Sequence, residues 1–238
     1  MGIVNVTPDS FSDGGKYFQC KDAVERILQC AAQGADIIDI GGESTRPGAT
    51  PISWQEELSR IEPVLKAVAN ENLTISVDTR HLETAARAIE LGAKIINCVD
   101  PTAVPALLEL ITASKGEVEL VVPYECRALC LKAGLLERVY IDPMIGFGTT
   151  REEDLKLLKR IPSLAKEGRL LIGASRKRIA KALSGNGDNT TLGTDVAISL
   201  WSAANGASAV RVHDVKLVAQ ALRTWKALEC DLPQIKLG

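Results

Sequence analysis

The sequence has no excess of charge of either sign and no long apolar run. Its 238 residues include 28 basic and 30 acidic side chains, a formal net charge of -2, so it lacks the basic surplus typical of proteins that bind nucleic acids or anionic membranes. No apolar run approaches the roughly 18 to 20 residues that span a bilayer. Residues 1–5 do not show the basic region and apolar core of a signal peptide. We therefore expect a cytoplasmic protein with no nucleic-acid or membrane partner.

Patterns for metal binding and disulfides are also scarce. Six cysteines are scattered through the chain, and histidine occurs twice, at His81 and His213. Cys126 and Cys130 are four residues apart, a spacing that puts both on one face of a helix, but no histidine lies near them in the sequence. A structural zinc site is therefore disfavoured. We expect reduced thiols, because a chain of this length builds a sufficient core without disulfides.

The sequence does have a repeated alternation of short aliphatic runs and longer amphipathic stretches. Its composition, 46% apolar and 24% charged, is that of an ordinary globular protein. The predicted strands are 2–6, 36–41, 73–78, 94–97, 118–123, 139–142, 170–174 and 209–213, and the predicted helices are 21–33, 54–70, 82–91, 104–113, 152–161, 192–205 and 215–229. Eight units favour a single α/β domain over 1–238, a (β/α)8 TIM barrel with parallel strands and an outer ring of helices. An open doubly wound sheet, with about five or six strands, is the alternative.

Polar side chains follow most of the predicted strands. They are Asn5, Thr7, Asp39, Asp78, Asn97, Asp142, Ser175, Lys177, Arg211 and His213. Because barrel enzymes build their sites at the carboxyl ends of the strands, we expect one polar mouth there. Acceptors in this set suit a planar heterocycle with several N–H donors, and cations suit an anion such as a diphosphate. The acceptors are Asp78, Asn97 and Asp142, and the cations are Arg46, Lys177, Arg211 and His213.

Two loops combine turn residues with hydroxyls and charges, at 6–15 and 41–49. They are candidates for mobile covers over the mouth, although glycine and proline are also what ordinary barrel turns use. Some of these residues, and others in the chain, also have a purely structural interpretation. His213 alone suits a buried core histidine, Lys177 suits a solvated helix start, and Trp201 and Trp225 suit packing or an oligomer surface.

Seven motifs in a fixed order resemble the dihydropteroate synthase family over nearly the whole chain. They are MGIVNVTPDSFSDGG at 1–15, GGESTRPG at 41–48, SVDT at 76–79, IIN at 95–97, DP at 142–143 with GFG at 146–148, SRK at 175–177 and RVHDV at 211–215. The resemblance implies a (β/α)8 transferase of folate biosynthesis. It joins 6-hydroxymethyl-7,8-dihydropterin diphosphate to p-aminobenzoate, giving 7,8-dihydropteroate and pyrophosphate with help from Mg²⁺.

The resemblance also implies roles for single residues, carried over motif by motif. Asp78, Asn97, Asp142 and Lys177 would bind the pterin, and Asn5, Arg46, Arg211 and His213 the diphosphate. Thr45, Pro47, Phe147 and Ser175 would form the p-aminobenzoate end, which sulfonamide inhibitors occupy in this family, and Gly146 would be a further substrate-binding residue. Asn5 and Asp13 would be the candidates for contact with the metal and for closure of the first loop. The catalytic residues would be Asp78, Asp142, Lys177 and Arg211. The family further implies a homodimer through helices of the C-terminal half.

Two alternatives remain open. A methyltetrahydrofolate-dependent methyltransferase shares a pterin-binding barrel, but it has no need of the cations Arg46, Arg211 and His213. A degenerate, non-catalytic pterin-binding paralogue is suggested by departures from the family pattern. These are Cys98 after Asn97, Pro123 and Tyr124 where the family often has Met-His, Met144 and Ile145 before Gly146, and a short segment between 122 and 140.

Overall fold

The structure, a computed structural model, describes residues 1–7, 16–44, 49–114, 116–185 and 190–229, with the backbone alone for 16–19. Eight parallel strands form a sheet in chain order, each paired with the next. They are β1 (Gly2–Asn5), β2 (Ile37–Gly41), β3 (Thr74–Asp78), β4 (Ile95–Asn97), β5 (Glu119–Pro123), β6 (Val139–Asp142), β7 (Arg169–Ile172) and β8 (Ala209–Val210).

Backbone hydrogen bonds join the last strand to the first. Val212 N donates to Met1 O over 2.9 Å, and Ile3 N donates to Val212 O over 3.1 Å. Arg211 N, one residue earlier, donates to Ile172 O of β7 over 2.9 Å. Residues beyond Val210 therefore divide their bonds between β7 and β1. This explains why regular strand β8 is shorter than the predicted 209–213 while the sheet still curls into a barrel.

Nine α-helices lie in the described part of the chain. They are α1 (Lys16–Ala32), α2 (Trp54–Val68), α3 (Leu82–Glu90), α4 (Val104–Ala113), α5 (Arg127–Lys132), α6 (Arg151–Leu164), α7 (Arg178–Leu183), α8 (Leu192–Ala204) and α9 (Val215–Glu229). The two not predicted are α5 and α7, each of 6 residues. Fewer than two turns give too few positions for a 3.6-residue period to be recognised.

The fifth unit, short in sequence, is complete as a structural unit. After β5 come a single 3₁₀ turn at Tyr124–Cys126, helix α5 and a second 3₁₀ turn at Leu136–Arg138. Strands β5 and β6 then pair over four residues, from Leu120 with Val139 to Pro123 with Asp142. Cys126 therefore precedes α5 rather than sharing one continuous helix with Cys130, and both are buried.

The core has two parts. A large cluster lies between the strands and the helices, and a smaller one consists of Met1, Ile95, Val121, Tyr140 and Leu171. Side chains alternate along a strand, so this smaller set fills the barrel interior. In the ranges that the structure describes, no helix is long and apolar enough to cross a membrane.

Candidate active site at the carboxyl ends of the strands

Strand register aligns the first four predicted strand ends. Asn5 pairs with Gly41, Gly41 with Asp78, and Asp78 with Asn97. A side chain on Gly41 would lie 3.6 Å from both Asn5 Oδ1 and Asp78 Cβ. The glycine thus leaves open space between an amide and a carboxylate, and the polar mouth predicted from the strand ends is present over β1 to β4.

Asp39, in the middle of β2, lies beneath this row and is fully buried. Its Oδ1 accepts from Ser76 Oγ at 2.6 Å, and its Oδ2 accepts from Asn97 Nδ2 at 3.1 Å and from Arg211 Nε at 2.6 Å. A buried carboxylate needs such donors to offset its lost hydration. Asp39 therefore orients two of the predicted ligand-binding side chains at once.

Arg211 joins Asp39 to Asp78. Its Nη2 donates to Asp78 Oδ2 at 2.7 Å, so one guanidinium serves two carboxylates. Burial raises the pKa of Asp78 to about 7, with the nearby Asp39 charge adding to the rise and Arg211 opposing it. Burial acts to lower the pKa of Arg211, but Asp39 and Asp78 outweigh it and raise that pKa. Arg211 thus remains a cation at the mouth.

Asp142 ends β6 and is also buried. Its Oδ1 accepts from Met144 N at 2.7 Å, a bond made possible because Met144 adopts a φ of 64°. Burial raises the pKa of Asp142, while Lys177 and the Met144 amide oppose the rise. A methionine in the left-handed region is strained. The hydrogen bond from Met144 N to the Asp142 carboxylate therefore holds the turn after β6 in this conformation.

Lys177, the N-cap residue of α7, is directed back over the turn after β6. Its Nζ donates to Ile145 O at 2.6 Å and lies 4.2 Å from the centre of the Phe147 ring. Burial lowers the pKa of Lys177, and Asp142 opposes that shift. A side chain on Gly146, whose φ is 79°, would lie 2.8 Å from Lys177 Cδ. Glycine at 146 therefore makes room for the lysine.

Asp154, on α6, fixes the same turn from behind. It is fully buried, and its Oδ1 accepts from Gly146 N at 2.8 Å and from Thr149 Oγ1 at 2.5 Å. These bonds hold 146–149, and with it Phe147, in one position. The sequence does not single out Asp154, because it directly follows an ordinary capping box, Thr150 with Glu153.

Ser175 and His213 meet where the chain leaves the next two strands, β7 and β8. The Ser175 Oγ to His213 Nδ1 distance is 3.1 Å, and Ser175 Oγ also accepts from His213 N at 3.3 Å. Arg26 of α1 donates from Nη2 to His213 O at 2.8 Å. Behind Ser175, Asp195 of α8 accepts its hydroxyl at 3.1 Å. His213 is therefore fixed at both its backbone and its ring.

The structure describes only part of the predicted site. Thr45, Arg46, Pro47 and Asp13 lie outside the described residues. Within the described ranges, it brings together Asn5, Asp78, Asn97 and Arg211 in one group, Asp142, Gly146, Phe147 and Lys177 in a second, and Ser175 with His213 in a third.

Two buried thiols, those of Cys98 and Cys130, are held protonated. Burial raises the pKa of Cys98 to about 12 and that of Cys130 to about 11. Cys98 is buried, and its Sγ lies 3.4 Å from Asp100 O. Across the described ranges, no group of three or more His, Cys, Asp and Glu side chains is placed to hold a metal ion.

Comparison with known proteins identifies the family. The family model for pterin binding enzymes matches residues 1–122 and 117–213. A dihydropteroate synthase of Neisseria meningitidis serogroup C is 39% identical, over 98% of this chain and 93% of the relative. The chain belongs to the dihydropteroate synthase family.

Solved synthases share its fold. A Xanthomonas albilineans dihydropteroate synthase, solved with 4-aminobenzoic acid, superposes with a TM-score of 0.88 at 37% identity, covering 98% of this chain and 93% of the other. A Yersinia pestis synthase in complex with a sulfonamide drug has a TM-score of 0.84 at 32% identity, covering 96% and 93%. The predicted (β/α)8 fold, the family resemblance and the predicted synthase, a transferase, are confirmed. The relatives carry the synthase name and not that of a methyltransferase.

Proposed function

We propose that this synthase condenses 6-hydroxymethyl-7,8-dihydropterin diphosphate with p-aminobenzoate at the described mouth, releasing 7,8-dihydropteroate and pyrophosphate. The proposal is carried by one observation: Asp78 and Asn97 are bound, through Arg211 and Asp39, into a single network that places acceptors and a buried cation side by side. A pterin linked to a diphosphate presents the complementary groups, N–H donors and an anion, within one molecule.

The pterin ring binds on the acceptor side. Asp78 and Asp142 accept hydrogen bonds from ring and amino N–H groups, and the Asn97 Oδ1, a buried atom with no partner among the described residues, accepts another. Buried hydrogen bonds to a charged group contribute about 1.5 to 3 kcal/mol each. Lys177 covers the ring from the Phe147 side.

The diphosphate leaves toward Arg211 and His213. Breaking the bond between the methylene carbon and the diphosphate oxygen puts negative charge on the leaving group and positive charge on the pterin methylene. Asp78 and Asp142 favour the positive charge, and Arg211 favours the negative one. Each such fixed contact contributes on the order of 3 kcal/mol, or about a hundredfold in rate.

The p-aminobenzoate amino group has to be positioned for attack rather than activated by a base. The amino group of p-aminobenzoate is neutral at about pH 7, so no strong base has to remove a proton before attack. The nitrogen attacks the methylene carbon and loses its proton afterwards. Phe147 and Ser175 form this end of the site, and sulfonamides compete for it as analogues of p-aminobenzoate. The family resemblance assigns Thr45 and Pro47, which lie outside the described residues, to the same end.

Magnesium suits the donor set at the diphosphate end. Mg²⁺ binds through one or two protein oxygens together with substrate phosphates and water. The Asn5 amide at the end of β1, whose Oδ1 borders the space above Gly41, offers one such oxygen. Asn5 would hold the ion, and the ion would supply charge neutralisation for the departing pyrophosphate.

A homodimer is formed through the C-terminal helices. Exposed apolar side chains on α7, α8 and α9 are Leu183, Leu192, Trp201, Leu217, Trp225 and Leu228. Light scattering should give a dimer for the wild type and a smaller species for L217E. The variant L129E is the control, because Leu129 of α5 is equally exposed, 39% against 40%, but lies away from this surface.

The protein acts in the cytoplasm, a location compatible with the free thiols of the five described cysteines. Cell fractionation tests this assignment.

The proposed reaction is tested by incubating pure protein with the pterin diphosphate, p-aminobenzoate and Mg²⁺ and measuring pyrophosphate and dihydropteroate. Equal amounts of both products are expected. Pterin binding without pyrophosphate release would instead identify a non-catalytic paralogue.

A further inference from the structure

The Ser175 hydroxyl has three polar neighbours and only one proton to give. Its Oγ lies 3.1 Å from Asp195 Oδ2, 3.1 Å from His213 Nδ1 and 3.3 Å from His213 N. A hydroxyl donates once and accepts twice. The backbone N–H of His213 can only donate, so Ser175 Oγ accepts there. The direction of the two remaining bonds depends on Asp195.

Asp195 can only accept from its neighbours. It is 3% exposed, and two donors besides Ser175 contact its carboxylate. Arg176 N donates to both carboxylate oxygens at 3.2 and 3.3 Å, and Thr191 Oγ1 donates to Oδ2 at 3.0 Å. The carboxylate therefore takes the Ser175 proton. With that proton used, Ser175 Oγ has to accept from His213 Nδ1, so this ring nitrogen carries a hydrogen.

We propose that Asp195 is a positioning residue for the reaction, acting through Ser175 to fix His213 as the tautomer protonated on Nδ1. Nε2, on the far edge of the ring from Ser175, is then the nitrogen that takes up a proton from solvent and, in the resulting imidazolium, donates a hydrogen bond to the departing diphosphate. The negative charge of Asp195, relayed by the hydroxyl, also favours the cationic imidazole that an anion needs. This inference rests on the proposed role of His213 at the diphosphate.

The backbone at Arg176 gives a reason why a carboxylate is needed. Arg176, whose φ is 59°, adopts the left-handed conformation, and its N–H points into the protein toward Asp195. An apolar residue at position 195 would leave this N–H and two hydroxyls without their acceptor, so Asp195 both holds the turn after β7 and orders the histidine. A test therefore has to separate these two effects.

Nitrogen-15 NMR of the imidazoles in the ligand-free protein separates them, because the tautomer is read without substrate. The chain contains only two histidines, and H81Q assigns the signals. At about pH 9, where an ordinary imidazole is neutral, His213 of the wild type should carry its hydrogen on Nδ1. In D195A the hydroxyl is free to donate to Nδ1, and the hydrogen should move to Nε2.

Kinetics then connect the tautomer to the reaction. For D195A, kcat should fall about tenfold, the loss of about one charge-assisted hydrogen bond, while KM for both substrates changes less than about twofold. The matched control is T191V, which removes a hydrogen bond to the same Asp195 oxygen but touches neither Ser175 nor His213. Its tautomer should match the wild type and its kcat should stay within about twofold.

If D195A does not fold, D195N is used in its place. The amide oxygen that this substitution introduces can keep the Ser175 proton, so D195N should retain the Nδ1 tautomer and lose kcat through the missing charge. The inference is overturned if the wild type carries the Nε2 hydrogen, if D195A keeps the wild-type tautomer, or if T191V loses as much kcat as D195A. An inactive wild type with the expected tautomer would contradict the proposed function instead.

Discussion

Arg211 and Asp78 form an ion pair across the barrel mouth, with 2.7 Å between Nη2 and Oδ2. The sequence motifs assign the cation to the diphosphate and the carboxylate to the pterin, as separate halves of the site. Their contact means that the two halves are one electrostatic unit. A substrate that binds here has to share Arg211 with Asp78 and Asp39.

Replacing Arg211 with alanine should therefore affect both halves. The variant leaves Asp39 and Asp78 without their shared cation, and removing one partner of a buried pair costs about 3 to 5 kcal/mol of unfolding free energy. We expect turnover to be lost and pterin affinity to fall as well, measured by pyrophosphate release and by calorimetry.

The control for this prediction is R211K, which retains a charge without the two-directional guanidinium. It should recover part of the stability and little of the turnover. Wild-type pterin affinity in R211A would show that the ion pair does not shape the pterin side.

The raised pKa of Asp78 predicts how stability depends on pH. Burial raises this pKa from 3.8 to about 7, so between these values the folded protein holds a proton that the unfolded chain has released. Stability due to this proton is fully present below pH 3.8 and is lost as pH rises to about 7, by at most about 1.4 kcal/mol per pH unit.

The variant D78N has no titratable carboxyl group at this position, so comparison with it isolates the effect of Asp78 protonation on stability. Urea unfolding at about pH 5 and about pH 7 gives the free-energy difference between wild type and variant. We expect wild type to lose stability relative to D78N on going to the higher pH. A difference that does not change with pH would mean that Arg211 keeps Asp78 ionised throughout.

Much of this fold follows from the sequence, because a strand buried on both faces is an aliphatic run and most of the runs here end at a polar residue. Strand β6 and helices α4 and α9 have the predicted bounds. The short helices α5 and α7 were missed because they are too brief to show a period. Strand β7 begins one residue earlier than predicted, because Arg169 pairs with Tyr140 of β6 and its guanidinium packs over the Tyr140 ring. It ends at Ile172.

The site was less predictable than the fold. Motif positions located Asp78, Asn97 and Lys177, but not the residues that hold them. Asp39 and Arg211 are 172 residues apart, and no local pattern links positions at that distance. Asp195 is, in the sequence, one polar residue within the predicted helix 192–205. Supporting contacts of this kind depend on which helix lies behind which strand, and that is known only from the folded chain.

Substituting Gly146 with alanine should displace Lys177. Both Gly146 and Gly148 adopt left-handed conformations, with φ of 79° and 70°, so alanine at either position costs about 1 to 2 kcal/mol in backbone strain. At Gly146 the new carbon would also lie 2.8 Å from Lys177 Cδ, whereas nothing lies within 4 Å of it at Gly148.

The matched variants G146A and G148A should therefore lose similar stability, with only G146A losing pterin affinity, by about tenfold for one displaced charged contact. Thermal unfolding and titration with the pterin diphosphate measure the two effects. Equal pterin affinities in the two variants would show that Lys177 does not contribute to pterin binding.

Replacing Asp39 with asparagine tests the buried centre of the network. The amide removes the charge that Arg211 Nε and Asn97 share, and the expected loss is about 3 kcal/mol of stability with weaker pterin binding. S76A, which removes only the neutral donor to Asp39, should cost about 1 kcal/mol and leave pterin affinity unchanged. If D39N binds the pterin as wild type does, Asp39 only supports the fold.

The most direct measurement is a crystal structure of the protein with 6-hydroxymethyl-7,8-dihydropterin diphosphate and Mg²⁺. The ring should lie within hydrogen-bond distance of Asp78, Asn97 and Asp142, with the two phosphates against Arg211 and His213. A ring bound outside the barrel mouth, or phosphates remote from both cations, would contradict this account of the site.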